Sequence, residues 1–205
     1  MADASATHRP GWLLCDFAGV LGLHQPEELR QRMAAVAHAE FGPFWEAYWA
    51  ERQAYDAGDL SRGDYWKRVG ARIDADWPEA LIVTLDELDV ESWLFPNRET
   101  LRVAAEMRAA GTRLAVLSNA PLSLGAALRA LAWLEPFDQV IRSSEIRAAK
   151  PDPAAYLTAL EILGATADEV VFVDDRQVNV DGAGVLGIRS VLFSDAARLR
   201  RDLLG

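Results

Sequence analysis

The chain has 205 residues, 51% of them hydrophobic and 25% charged, with a formal net charge of −10. That is long enough for one sizeable core with a small insert, or for two small domains, and ordinary in composition for a globular protein. An acidic balance without a Lys/Arg block excludes a phosphate-tracking nucleic-acid surface, and no apolar run is long enough to span a bilayer, so neither nucleic acid nor membrane is an expected partner.

Residues 1 to about 10 carry no apolar stretch of signal-peptide length and read as a loose tail. Trp12 to Leu21 reads as the first strand: three apolar residues and Cys15 run straight into Asp16, and Gly19 then lets the backbone turn sharply. An acid at the carboxyl end of a buried strand is costly to desolvate unless a cation or donors meet it. In an open α/β sheet that end is where ligands bind, so Asp16 is a candidate metal ligand, nucleophile, or both. Cys15, inside the strand, reads as a core residue. As the one cysteine it excludes an internal disulfide and fits a reducing, cytoplasmic setting.

Helical patterns follow. Pro26-Glu27-Glu28 opens one with acids in the first turn, running to about Glu40 and stopping at Gly42-Pro43. A second covers about Phe44 to Ala57, with Asp56-Ala57-Gly58-Asp59 read as a turn. Ser61 caps a third, with Asp64 three residues on, to about Ile73, and Trp77-Pro78 opens a fourth to about Leu88. No strand-like alternation interrupts this stretch, so residues 23–92 are expected to form a small helical bundle inserted after the first strand. Its aromatics, Trp45, Tyr48, Trp49, Tyr55, Tyr65 and Trp66, recur at helical spacing and read chiefly as packing, with one or two free to line a pocket.

From Trp93 the rhythm is βαβ. The spacing predicts a helix over 97–110, a strand over 113–118, a helix over 123–133 and a strand over 138–141. A helix over 151–164, a strand over 169–175, a helix to Leu186, a strand over 189–193 and a terminal helix complete the chain. Alternation of this kind implies a parallel sheet with right-handed crossovers. The fold class is therefore α/β, a Rossmann-like core over 12–22 and 93–205 with the helical insert between.

Four strand ends or nearby loops then bring polar groups to one rim: Asp16, Ser118-Asn119, Lys150 and Asp174-Asp175. Asp16 and Asp175 would repel each other unless a cation sat between them. A few oxygen ligands with room for water and phosphate suit Mg²⁺. Lys150 offers a compact charge for an acidic nucleophile or a phosphate oxygen, and Ser118 with the following backbone N–H groups offers donors. Together these are the groups that phosphoryl transfer through a carboxylate nucleophile asks for.

Those residues, as Asp16-Phe17-Ala18-Gly19-Val20-Leu21, Val116-Leu117-Ser118-Asn119, Lys150-Pro151-Asp152-Pro153 and Phe172-Val173-Asp174-Asp175-Arg176-Gln177-Val178-Asn179, resemble in order the four motifs of the haloacid dehalogenase-like (HAD) hydrolase superfamily. The resemblance covers about residues 12–193, and the helical insert falls where that family places its cap. It implies Asp16 as nucleophile and metal ligand, with the Ala18 carbonyl and Asp175 as further ligands of Mg²⁺ and Asp174 close by. Ser118 and Asn119 are implied as phosphoryl contacts, Lys150 as the cation steadying nucleophile and phosphate, and Asn179 as the residue orienting the Asp174-Asp175 loop.

One position departs from the pattern. Many phosphatases of the family carry Asp two residues after the nucleophile as general acid, and here that residue is Ala18. A positioned proton donor is typically worth ~10²–10⁴ in rate. The expectation is a Mg²⁺-dependent phosphatase acting on a small phosphorylated metabolite, as monomer or homodimer. The alternatives are an inactive phospho-ligand binder that kept the pocket, and a 2-haloacid dehalogenase, which uses the same Asp without metal. His24, just past the first motif, is a candidate substrate contact or substitute donor, and Arg52 and Arg176 are candidate anion contacts.

Overall fold

The computed structural model describes residues 10–205; the tail read over residues 1–10 lies outside them but for Pro10. Strand β1 (Trp12–Cys15) is shorter than the sequence suggests. At Asp16 the chain leaves the ladder: Gly19 takes φ +81° and Gly22 N–H returns to the Phe17 carbonyl at 2.7 Å, so residues 16–22 form a tight loop. A left-handed residue cannot continue a strand, which is why the apolar run Val20-Leu21 packs without pairing.

Four helices follow: α1 (Glu27–Val36), α2 (Phe41–Asp56), α3 (Arg62–Ala71) and α4 (Glu79–Ser92). Helix α1 stops four residues short of Glu40, because His38 turns left-handed at φ 54° and Ala39 N–H closes on the Ala34 carbonyl at 3.0 Å. Gly42-Pro43 does not separate the helices but lies in the first turn of α2, where proline's missing N–H has no partner to lose. Ser61 caps α3 by accepting the Asp64 N–H at 3.1 Å. The four helices share their own core, built on Phe44, Tyr48, Tyr55, Tyr65, Trp66, Ile82 and Leu85. Each such ring or branched chain contributes about 1.5–3 kcal/mol on burial.

The remainder alternates: α5 (Arg98–Ala109), β2 (Arg113–Ser118), α6 (Leu122–Leu128), β3 (Gln139–Arg142), α7 (Ser143–Ile146), α8 (Pro153–Leu163), β4 (Val170–Asp174), α9 (Gln177–Val185), β5 (Arg189–Leu192) and α10 (Ala196–Leu204). The helix expected over 123–133 breaks at Leu128 into 3₁₀ geometry, with Ala130 N–H on Ala127 and Leu131 N–H on Leu128. Trp133, in this tighter segment, stacks on Phe17 at 5.6 Å. The single turn α7 is absent from the sequence reading; four residues are too few for a period.

All five strands are parallel, in the order β3-β2-β1-β4-β5. Side chains alternate faces along β1. Leu13 and Cys15 pack with Val103 and Met107 of α5 and Leu124 of α6. Trp12 and Leu14 pack with Tyr156 and Leu163 of α8 and Ala183 of α9. Both faces are thus covered, as a parallel sheet requires. No helix of the described residues is long and apolar enough to cross a membrane.

Candidate active site

With β2 on one side of β1 and β4 on the other, the crossovers diverge and leave a crevice above the carboxyl end of the central strand. Asp16 sits in it, 7% exposed. Its N–H extends the ladder to the Val173 carbonyl at 2.8 Å, and its carboxylate accepts the Phe17 N–H at 2.6 Å. Lys150, buried, places Nζ 2.8 Å from Asp16 and 2.8 Å from Asp174.

Lys150 lies in the loop between α7 and α8, and a side chain from another strand end fixes that loop. Lys150 N–H donates to Asn119 Oδ1 at 2.9 Å, and Asn119 Nδ2 donates to the Lys150 carbonyl at 2.8 Å. The amide of Asn119, expected beside Ser118 as a phosphoryl contact, is therefore committed to the lysine backbone. Ser118, the buried last residue of β2, lines the crevice.

Asp174 ends β4, fully buried. Besides Lys150 it accepts the Arg176 N–H at 2.9 Å and Asn179 Nδ2 at 3.0 Å to each oxygen, so its carboxylate is saturated with donors. Asn179 is held in turn by Tyr156, whose hydroxyl donates to the Asn179 carbonyl at 2.8 Å. Asp175 is half-buried, with His24 Nε2 at 3.4 Å; His24 itself is largely exposed. Gly19 makes room for this pair, since a Cβ there would lie 2.4 Å from Asp175 Oδ2 and 2.7 Å from the His24 ring.

Burial lifts the Asp16 carboxyl to about 7, against the pull of Lys150 and with added repulsion from Asp174 and Asp175. Burial and then Asp174 raise Asp175 as well. Burial opposes the Lys150 charge, yet Asp16 and Asp174 outweigh it and hold the ammonium above the usual lysine range. The neighbouring Cys15 thiol is pushed up to about 12, chiefly by burial, which leaves it an inert core group.

Oxygens of Asp16, Asp174 and Asp175 lie within 4.8 Å of one another. Three carboxylates facing one ammonium leave a formal excess of two negative charges, and Asn179 Oδ1 is a buried acceptor with no partner among the described residues. An all-oxygen donor set with that deficit fits a hard divalent cation such as Mg²⁺.

The crevice is roofed by the helical segment and encloses about 240 Å³. Its floor is Asp16, Ser118, Lys150 and Asp175, with Ala18 and His24 at the side; Trp49, Arg52, Asp56 and Trp93 form the roof. Of the aromatics picked out in the sequence, Trp49 stays 51% exposed, whereas Trp45, Tyr48, Tyr55, Tyr65 and Trp66 are buried.

Arg52, a candidate anion contact in the sequence, is 4% exposed and its guanidinium is engaged by acids of the roof; Asp56, read in the sequence as part of a turn, ends α2 with its side chain 14% exposed. Arg52 Nε donates to Asp56 at 2.7 Å and Nη1 to Asp89 of α4 at 2.7 Å. A signal existed: Asp86 and Asp89 share the face of α4 that carries Ile82, Leu85 and Leu88, and acids in an apolar stripe require buried partners. Arg176, by contrast, is exposed at the cavity's edge.

A profile of the haloacid dehalogenase-like hydrolases matches residues 14–187. The chain belongs to that family. Among curated relatives it is 40% identical over 105 residues to a (S)-2-haloacid dehalogenase of Pseudomonas, covering 51% of this chain and 46% of that one. It is 30% identical over 141 residues to the phosphoglycolate phosphatase of Caulobacter vibrioides, covering 66% and 58%. The chain thus spans about half the length of these relatives. A HAD family enzyme of Bacteroides thetaiotaomicron, solved with magnesium and inorganic phosphate, superposes with a TM-score of 0.74 over 93% of this chain and 98% of that one, at 19% identity. That likeness is one of fold.

Proposed function

We propose that the protein is a Mg²⁺-dependent cytoplasmic phosphatase of small phosphorylated metabolites, with residues 23–92 as the cap over its pocket. The observation carrying this reading is the group Asp16, Asp174, Asp175 and Lys150, whose excess negative charge calls for a divalent cation. Displacement of halide needs no such centre. The magnesium- and phosphate-bound neighbour and the phosphatase relative support the same choice.

Asp16, Asp175 and the Ala18 carbonyl would hold the metal, which supplies charge neutralisation to the transferring phosphoryl group. Asp16 attacks phosphorus and carries the phosphoryl group as its acyl phosphate. Lys150 favours the ionised form of Asp16 and faces the phosphoryl oxygens, while Ser118 donates to another. Asp174, bonded to Lys150 and Asn179, holds the lysine in place. A cavity of about 240 Å³ lies below the ~300–1,000 Å³ usual for drug-sized ligands, which suits a small substrate.

The experiment is a panel of phosphate esters with Mg²⁺, run beside Asp16→Asn and in EDTA. Hydrolysis that needs Mg²⁺ and Asp16 is expected. The second reading is 2-haloacid dehalogenation, favoured by the 40% identity to a dehalogenase; it predicts halide release from 2-chloropropionate that persists in EDTA. Silence of both chains on both substrate classes leaves the phospho-ligand binder.

A further inference from the structure

Ala18 leaves no proton donor two residues past Asp16, so any phosphatase acting here must find one elsewhere. We propose that Asp56, at the end of cap helix α2, is the general acid that protonates the leaving group. The inference rests on the phosphatase reading of the site.

Asp56 lines the same cavity as Asp16, from the roof. A phosphoryl group seated on Asp16 and Lys150 would share this cavity of about 240 Å³ with the roof residues. Asp56 is held at that spot from both sides. Arg52 Nε bonds its carboxylate at 2.7 Å, and the hydroxyl of Ser143, which accepts the Ala120 N–H at 2.9 Å, donates to its backbone carbonyl. The core loop after β2 thereby fixes the roof acid.

Donor counts separate the two roof carboxylates. Asp89, fully buried, receives Tyr48 Oη at 2.6 Å, Arg52 Nη1 at 2.7 Å, Trp93 Nε1 at 3.1 Å and Gln25 Nε2 at 3.3 Å. Among the described residues Asp56 receives only Arg52 Nε through its side chain. The carboxylate with one donor is the one left free to engage a group in the cavity. The other groups turned toward Asp56 are Arg176 after β4, which favours the anion, and the hydroxyls of Tyr48 and Tyr65. Burial, with repulsion from Asp89, lifts Asp56 to about 6 despite Arg52, a range suited to proton transfer near neutrality.

The balance closes. Asp16 Oδ forms a bond to phosphorus as the P–O ester bond breaks, its electron pair stays on the ester oxygen, and the Asp56 proton completes the alcohol. In the second step Asp56 carboxylate takes a proton from water, the water oxygen bonds phosphorus, and the Asp16–phosphorus bond breaks. Carboxylate, protonated Asp56 and inorganic phosphate result.

The test compares Asp56→Asn with wild type on p-nitrophenyl phosphate, whose leaving group needs no proton, and on ethyl phosphate, whose leaving group does. Expected is a loss of ~10²–10⁴-fold in kcat/KM on ethyl phosphate, with kcat/KM on p-nitrophenyl phosphate, which reports formation of the acyl phosphate alone, changed severalfold at most, and recovery on ethyl phosphate when Ala18→Asp is added to Asp56→Asn. Wild type should also lose kcat/KM for ethyl phosphate above about pH 6, a limb missing for p-nitrophenyl phosphate; this comparison needs no variant. Equal losses on both esters, or no loss on ethyl phosphate, overturn the inference and leave the phosphatase reading intact. If wild type with Mg²⁺ hydrolyses neither ester, the phosphatase reading itself fails and takes the inference with it.

Discussion

Lys150 answers to Asp16 and Asp174 at 2.8 Å each, so its removal strands two buried carboxylates. Lys150→Met should therefore cost about 3–5 kcal/mol in urea unfolding at pH 7, the penalty of breaking a buried pair from one side. It should also abolish ester hydrolysis; a stability within about 1 kcal/mol of wild type would show that the ammonium is not what compensates these acids. Gly19 makes a second case. Any side chain there meets Asp175 Oδ2 at 2.4 Å and must also adopt φ +81°. Gly19→Ala should lower both Mg²⁺ affinity, read by isothermal titration, and kcat, because it displaces the one site carboxylate that is only half-buried.

At the scale of elements, the loop before β3, helix α5 and strand β2 are pinned together by one side chain. Asp138 accepts Arg108 of α5 at 2.8 Å and the Leu114 N–H of β2 at 2.9 Å. Arg108 and this backbone bond hold its carboxyl below the ordinary value. A depressed value means stabilisation that is present above the unfolded carboxylate's pKa of about 3.9 and lost as pH falls through the folded one. With the side chain a third exposed, Asp138→Asn should cost about 0.5–1 kcal/mol at pH 7, a gap that closes on acidification below pH 4. Denaturant melts of the two proteins across pH 2–7 check this, and a gap constant with pH would contradict it.

The strand ends were legible because each closes a continuous apolar run, and a parallel sheet brings such ends to one rim whatever lies between them. Asp16, Ser118 and Asp174-Asp175 needed no more than that. Lys150 was placed on its motif, and the sequence held no sign that Asn119 would bracket its backbone. The roof, signalled only by the acids Asp86 and Asp89 in the apolar stripe of α4, was harder to read for a different reason. Arg52 and Asp56 sit four apart on a helix, as solvated ion pairs do, and become buried only because α4 brings Asp89 against them from 37 residues away. Periodicity reports which face is apolar, and a buried charge network contradicts that report locally.

At the scale of the molecule, the acidic site opposes its own fold, and a bound cation would relieve that opposition. Asp16, raised to about 7, and Asp175, also raised, bind protons more readily folded than unfolded. Groups with raised carboxyl values give stability that falls as pH climbs from about 4 toward 7, the reverse of Asp138. In EDTA the wild type should accordingly weaken over that interval, and Asp16→Asn should flatten the slope. Added Mg²⁺ should restore the wild type at pH 7 by about 2.7 kcal/mol at a hundredfold excess over Kd, seen as a rise in Tm. A Tm indifferent to Mg²⁺ at every pH would separate the acidic group from any metal.

The central strand is the first to be made, yet its neighbours β2 and β4 begin at Arg113 and Val170. During synthesis Asp16 therefore leaves the ribosome beside an open-edged β1 and waits through most of the chain for Lys150 and Asp174. Loops this long close slowly, and an unpaired edge invites the wrong neighbour. Any nascent or truncated chain that stops short of Val170 carries Asp16 beside an unpaired β1 edge, and such an edge is open to pairing with another chain.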